Sequence, residues 1–253
     1  MSKLEKFLRL KNFIKYNGLE YVKTNVSVIY DGDKIGLDIS NRFSTVFYNC
    51  TEKFFPFDFL KIPECEYTNV DLMGDEGNFK ISNLRGFPES AKNLRLNILD
   101  TGIESLEGCP SQLEFLTVKH CHNLANLDFL PDYVGENLVL EDLPIVDHFP
   151  KIKVGNFVEL KNLKNIRSLE GIYFEENNNV VGIGLRGMQN LDFSYFPNCK
   201  NVYIYDCTFS NIEGLKNCQT ICHNSCVFKS LDEFKQHLIE RKKWLKEDSG
   251  WIE

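Results

Sequence analysis

The sequence predicts an α/β solenoid in which short parallel strands stack coil upon coil, with an irregular or 3₁₀ convex side and a cap at each end. Three observations carry this. Apolar residues recur in one frame through Leu94 to Leu130: Ile98, Thr101, Ile103 and Leu106 lead into Glu-Gly-Cys-Pro, and Val118, Cys121, Leu124 and Leu127 repeat the spacing before Asp-Phe-Leu-Pro. The return segments are short and contain Pro88, Pro110, Pro131, Pro150 and Pro197, which leaves little room for a helix on the back. The length of 253 residues suits a fold that grows by adding units rather than by enlarging a single core.

Composition sets the outer limits. Hydrophobic residues make up 43% of the chain and charged residues 26%, enough to bury a core along its whole length. A net charge of -7 and a pI near 5.4 argue against generic nucleic-acid binding, which needs a basic stripe because phosphate contacts dominate affinity. The cluster Arg241-Lys242-Lys243 reads as a solvated helix face. No apolar run approaches ~18 residues, so no membrane span is expected. Met1 to Lys6 has no apolar h-region behind it, which points away from a cleaved secretion signal and toward a cytoplasmic location. Nine cysteines at irregular spacings then read as free, small buried residues.

Residues 1–64 form the predicted N-terminal cap. Ser2 and Glu5 make a capping box for a helix over Lys3 to Tyr16 that stops at Asn17-Gly18. Val26 to Tyr30 and Ile35 to Ile39 flank Asp31-Gly32-Asp33, the pattern of a β-hairpin. The two aspartates lack the later ligands of a calcium loop. From Arg42 to Pro63 a dense run of phenylalanines, Phe43 to Phe59, suits the closure of the open end of a stack.

Residues 65–229 form the predicted solenoid. Taking the last inward strand residue as an anchor gives Ile98, Val118, Leu140, Leu160, Leu185, Ile204 and, more weakly, His223, at intervals of 19 to 25 residues. Three residues beyond the anchors stand Thr101, Cys121, Leu143, Leu163, Met188, Cys207 and Cys226. Apolar pairs then close each coil, among them Ile103 and Leu106, Leu124 and Leu127, Ile145 and Phe149, and Ile166 and Leu169. Earlier units around Ile81 and Leu84, and around Val46 to Leu60, bring the expected total to about seven or eight coils. Residues 230–253 form the C-terminal helical cap: Ser230 and Glu233 make a second capping box, and Phe234, Leu238 and Leu245 share one face.

On these residues the stretch from about 65 to 231 resembles an irregular leucine-rich repeat protein. The recurring Ser-Leu-Glu-Gly, at Ser105 to Gly108 and Ser168 to Gly171, is similar to repeats of bacterial, phage and large-virus proteins. The resemblance implies partner binding through the solenoid. The position that is Asn or Cys in regular units is often apolar here, which departs from regular curvature.

Motifs that suggest chemistry dissolve into the repeat frame. Gly182-Ile183-Gly184-Leu185-Arg186-Gly187 fits the dinucleotide fingerprint, but Ile183, Leu185 and Met188 already hold repeat positions and Phe196-Pro197 stops any following helix. Cys218, Cys222, His223 and Cys226 supply half of a zinc pattern without a second pair. His120 and Cys121 alternate across a strand and do not converge, and Asp147-His148 lacks a nucleophile signature. No catalytic residues, cofactor or metal are expected.

The outward strand face remains. One column beside the anchors runs Leu99, Lys119, Glu141, Lys161, Arg186, Tyr205, and the next runs Asp100, His120, Asp142, Asn162, Gly187, Asp206. Lys119, Glu141 and Lys161 alternate in sign and can neutralise one another. Tyr203 and Tyr205 beside Arg186 have the chemistry of interface hot spots. The expected partner-binding set is therefore Tyr203, Tyr205, Arg186, Lys161, Glu141, Asp142, Lys119 and His120. The expected function is a non-enzymatic protein-interaction module with a protein partner, without nucleic acid or membrane. The alternatives are a self-associating component of a viral particle or other assembly and, ranked below it, a substrate adaptor for ubiquitin transfer.

Overall fold

The computed structural model of the protein describes residues 26–30, 42–48, 67–74, 81–87, 89, 91–175 and 182–248. The expected N-terminal helix and residues 35–39 of the expected hairpin lie outside them. Among the described residues are fifteen strands: β1 (Val26–Tyr30), β2 (Arg42–Tyr48), β3 (Tyr67–Met73), β4 (Ala91–Leu99), β5 (Gln112–Lys119), β6 (Tyr133–Glu141), β7 (Ile152–Val154), β8 (Phe157–Lys161), β9 (Ile172–Phe174), β10 (Gly182–Arg186), β11 (Leu191–Asp192), β12 (Asn201–Tyr205), β13 (Phe209–Asn211), β14 (Thr220–His223) and β15 (Cys226–Phe228). A described α-helix, α1 (Leu231–Asp248), follows them.

The fold is a β-solenoid of about six turns with a C-terminal helix. A single sheet runs β1-β2-β3-β4-β5-β6-β8-β10-β12-β14-β15, parallel from β2 to β14 and antiparallel at each end. The α/β expectation is corrected. Among the described residues the backs of the coils carry short strands such as β11 and β13 and 3₁₀ turns at Phe193–Tyr195 and Glu213–Asn217, because units of about 20 residues leave no length for a helix. The described partner of β1 is β2, which in turn pairs parallel with β3, so β2 extends the parallel sheet by one strand.

The anchors hold one register through the stack. Leu72 pairs with Ile98, and Val118, Leu140, Leu160, Leu185, Ile204 and His223 continue the column strand by strand. All are buried, and they pack on the closing residues Ile103, Leu106, Leu124, Leu127, Ile166, Leu169, Leu191 and Phe193. In the coil after β6 the expected closing residue Ile145 is 49% exposed and Val146 is buried in its place. Val146 stands three residues beyond Leu143, the step that also separates Leu124 from Cys121 and Ile166 from Leu163, so the coil keeps the regular spacing and Ile145 falls one residue short of it.

Two residues beyond each anchor the backbone is left-handed at Asp100, His120, Asp142, Asn162, Gly187 and Asp206. Glycine tolerates that region best, and Asp, Asn and His enter it more readily than other residues, which accounts for the composition of this column. The N–H groups of Asp100, His120, Asp142, Asn162 and Gly187 each donate to the last carbonyl of the next strand, so these five coils end their strands at the same height. One residue further on, Thr101 Oγ1 and Cys121 Sγ lie 3.3 Å apart inside the stack, while Leu143, Leu163 and Met188 fill the same place with apolar volume.

The expected last unit does not close. The chain turns back at Asn224 and Ser225, both with positive φ, and β15 runs antiparallel to β14, leaving Cys226 exposed rather than in the ladder. Helix α1 then covers this end. Ser230 Oγ accepts the Glu233 N–H at 3.2 Å, which forms the Ser230 half of the expected capping box, while the Glu233 carboxylate reaches one residue further back and accepts the Lys229 N–H at 2.9 Å. Phe234 is fully buried against Phe209, Phe228 and His223.

Candidate interaction face

Strand alternation decides which side chains are available. In β8, Val158 and Leu160 point into the core while Phe157, Glu159 and Lys161 point out, and the same parity holds through β10 and β12. The register therefore places Lys119, Glu141, Lys161, Arg186 and Tyr205 in one row across five consecutive strands, about 4.8 Å apart. Tyr203 lies one row over, beside Gly184. Of the eight residues expected to bind a partner, these six share the outward sheet surface. Asp142 and His120 belong to the left-handed column at the strand ends.

The charged half of the row is internally matched. Glu141 is only 8% exposed; Lys119 Nζ lies 3.0 Å from its Oε2, and Lys161 Nζ contacts its Oε1. Burial of this carboxylate depends on both ammonium groups, since an unpaired buried charge is strongly disfavoured. His120 adds Nδ1 at 3.0 Å from Asp100 Oδ1 and Nε2 at 3.3 Å from Asp142 Oδ2. Glu141 and Asp142 are thus structural partners of their neighbours, whereas exposed Arg186 has no acidic partner among the described residues.

The aromatic half has a feature that single-residue reading missed. The Phe157 ring lies over Gly182 and Gly184: a Cβ added at these glycines would stand 3.0 and 3.3 Å from its ring atoms. Tyr203 meets the same ring from the far side, with centroids 6.1 Å apart and planes inclined by 50°. Tyr203 is consequently half-buried, while Tyr205, at 39%, is the exposed tyrosine of the pair. The signal was present in the glycine spacing, which serves ring packing rather than phosphate approach. The third glycine of that motif, Gly187, holds the left-handed position, with φ of 62°.

The other clusters stay apart. His120 is half-buried on the outer side and Cys121 is buried in the core. His148 pairs with Asp147 at 2.6 Å and Asp128 at 3.3 Å on the surface, and these carboxylates raise its pKa. Cys218 and His223 are buried, Cys222 faces outward and Cys226 is exposed, so the four do not converge. Among the described residues, His120, Glu141 and Asp142 are the trio whose ligand atoms come within 4.8 Å of one another. The two lysines on Glu141 oppose a divalent cation there.

Among the described residues no helix is long and apolar enough to cross a membrane. No protein-family profile, no curated protein and no solved structure matches the chain.

Proposed function

We propose that the chain is a solenoid of the leucine-rich-repeat type that recognises a protein partner through its strand face and catalyses no reaction. The observation that carries this reading is the row Lys161, Arg186, Tyr205 standing beside the Phe157–Tyr203 ring pair on three adjacent strands. Tyrosine and arginine beside an apolar floor form the composition on which binding energy concentrates. Each side chain is fixed by a strand in register, so docking costs little conformational entropy. Lys119 and Glu141 would then act as the ordered polar border of the patch rather than as its anchors.

A photo-crosslinking residue placed at position 205 tests the location, with one at Tyr195 as the control, since Tyr195 is 65% exposed in a 3₁₀ turn on the back. Crosslinking from 205 and not from 195 is expected. Transfer from 195 alone would move the interface to the other side of the solenoid.

A second reading, a component of an assembly, draws on β15. This strand ends the sheet, with Cys226 and Val227 exposed, and an unpaired edge can accept another strand. A concentration-dependent oligomer abolished by Val227→Pro would favour it.

A further inference from the structure

The C-terminal end of the stack holds a cleft that the strand-face reading does not use. It has a volume of about 600 Å³ and lies between α1 and the last two coils. That volume falls in the range of small-molecule sites, about 300–1,000 Å³. Its walls are apolar, built from Phe209 and Ile212 on one side and Leu238 on the other. At its mouth stand Arg241 and Lys242, exposed and without an ion-pair partner among the described residues. Asp206 is the opposing carboxylate. Two free cations against one acid mark a locally positive opening on a chain of net charge -7.

One wall group is also incompletely bonded. The Asp206 N–H donates to Asn224 Oδ1 at 3.1 Å, which fixes the orientation of the amide and turns its Nδ2 toward His223 Nε2 at 3.4 Å. Nε2 is therefore the acceptor of a neutral ring, and the proton sits on Nδ1. His223 is 4% exposed, and Nδ1 has no hydrogen-bond partner. A buried donor without an acceptor is disfavoured, which marks this end of the stack as less completely packed than the coils before it.

We propose that this cleft binds a small amphiphilic monoanion, a carboxylate carrying an aliphatic chain. The chain lies against Phe209, Ile212 and Leu238. The carboxylate sits at the mouth between Arg241 and Lys242, where guanidinium and ammonium supply charge-assisted donors. The proposal is independent of the strand face, because none of Lys161, Arg186, Tyr203 and Tyr205 lines the cleft.

The test uses the full chain labelled with ¹⁵N and titrated with decanoate and, separately, with decanol, a neutral chain of the same length. Saturable decanoate binding is expected, at least tenfold tighter than decanol, with amide shifts centred on Thr208 to Ile212, His223 and Leu238 to Lys242. In Arg241→Gln/Lys242→Gln, decanoate should fall to the affinity of decanol, and both exposed positions tolerate the change without unfolding. Ile239→Trp, which fills the cleft from an exposed helical position, should weaken both ligands. Absence of saturable binding, equal affinity for acid and alcohol, a preference that survives the double substitution, or shifts centred elsewhere would each overturn the proposal.

Discussion

Lys119 reaches across one strand to place its Nζ 3.0 Å from Glu141 Oε2, and the glutamate side chain it neutralises is only 10% exposed. Glu141→Gln leaves two ammonium groups facing a neutral amide. We expect it to lower the unfolding free energy by about 1–3 kcal/mol, seen as a lower urea midpoint at unchanged slope. Glu107→Gln, which removes a pair with Arg85 whose side chains are 66% and 38% exposed, should cost about 1 kcal/mol or less. Equal losses would mean that the buried pair contributes nothing special to the stack.

Close approach of adjacent coils makes Gly155 more demanding than Gly187. A Cβ at Gly155 would stand 1.8 Å from the Gly135 carbonyl oxygen, a backbone atom that cannot step aside. Gly155→Ala should cost about 3 kcal/mol or more. At Gly187 the obstacle is the Asn162 side-chain oxygen at 2.2 Å, which can rotate, together with a φ of +62°. Gly187→Ala should cost about 1–2 kcal/mol. Thermal unfolding of the two variants in parallel checks the order.

His223 gives the fold an acid-side weakness. Burial, with Arg241 and His237 close by, pushes its pKa down to about 4, and Asp206 only partly offsets this. The unfolded imidazole titrates near 6.5, so between about pH 6.5 and 4 the unfolded chain takes up a proton that the folded chain does not. Stability from this group is complete above the unfolded value and falls as the pH drops through that window, by about 3 kcal/mol in total. His223→Leu, which installs the residue found at the anchors Leu140, Leu160 and Leu185, should remove that slope. Urea unfolding at several pH values between 7 and 4 measures it, and an unchanged slope would assign the acid sensitivity elsewhere.

Thiol reactivity should follow the hairpin at the end of the sheet. Cys226 is exposed and should be alkylated first, while Cys121, Cys199 and Cys218 are buried and should react only on unfolding. Burial pushes the Cys109 thiol pKa up strongly, so that residue should also lag. Peptide mapping after brief native alkylation gives the order. Early labelling of Cys121 would contradict its place inside the stack.

Much of the core was legible in the sequence because a parallel stack forces identical positions into identical surroundings. Ile98, Val118, Leu140, Leu160, Leu185 and Ile204 are recognisable as anchors from spacing alone, and they pair in one column. The weak anchor His223 also holds the register, but the hairpin that follows it was not legible. Asn224-Ser225 interrupts the repeat through backbone conformation, while the apolar spacing runs on as though another coil followed. The exchange of Val146 for Ile145 has a different origin: Val146 keeps the step of three from Leu143 that also links Cys121 to Leu124 and Leu163 to Ile166, so the regular frame itself points to it.

The candidate face was legible as a set of columns and not as chemistry. Periodicity placed Lys119, Glu141, Lys161, Arg186 and Tyr205 side by side. Which of them are consumed by their neighbours depends on side-chain reach, seen in the two lysines on Glu141. The seat of Phe157 on Gly182 and Gly184 depends on pairing between β8 and β10, across a segment whose length breaks the regular interval.

Recognition of a protein by the strand face can be measured directly. Affinity capture from lysate of the source cell, comparing the native chain with Tyr203→Ala/Tyr205→Ala and with Tyr195→Ala, measures this. A specific protein retained by the native chain and by Tyr195→Ala, and lost with the double substitution, is the predicted result. Equal recovery by all three chains would contradict the assignment of recognition to this face.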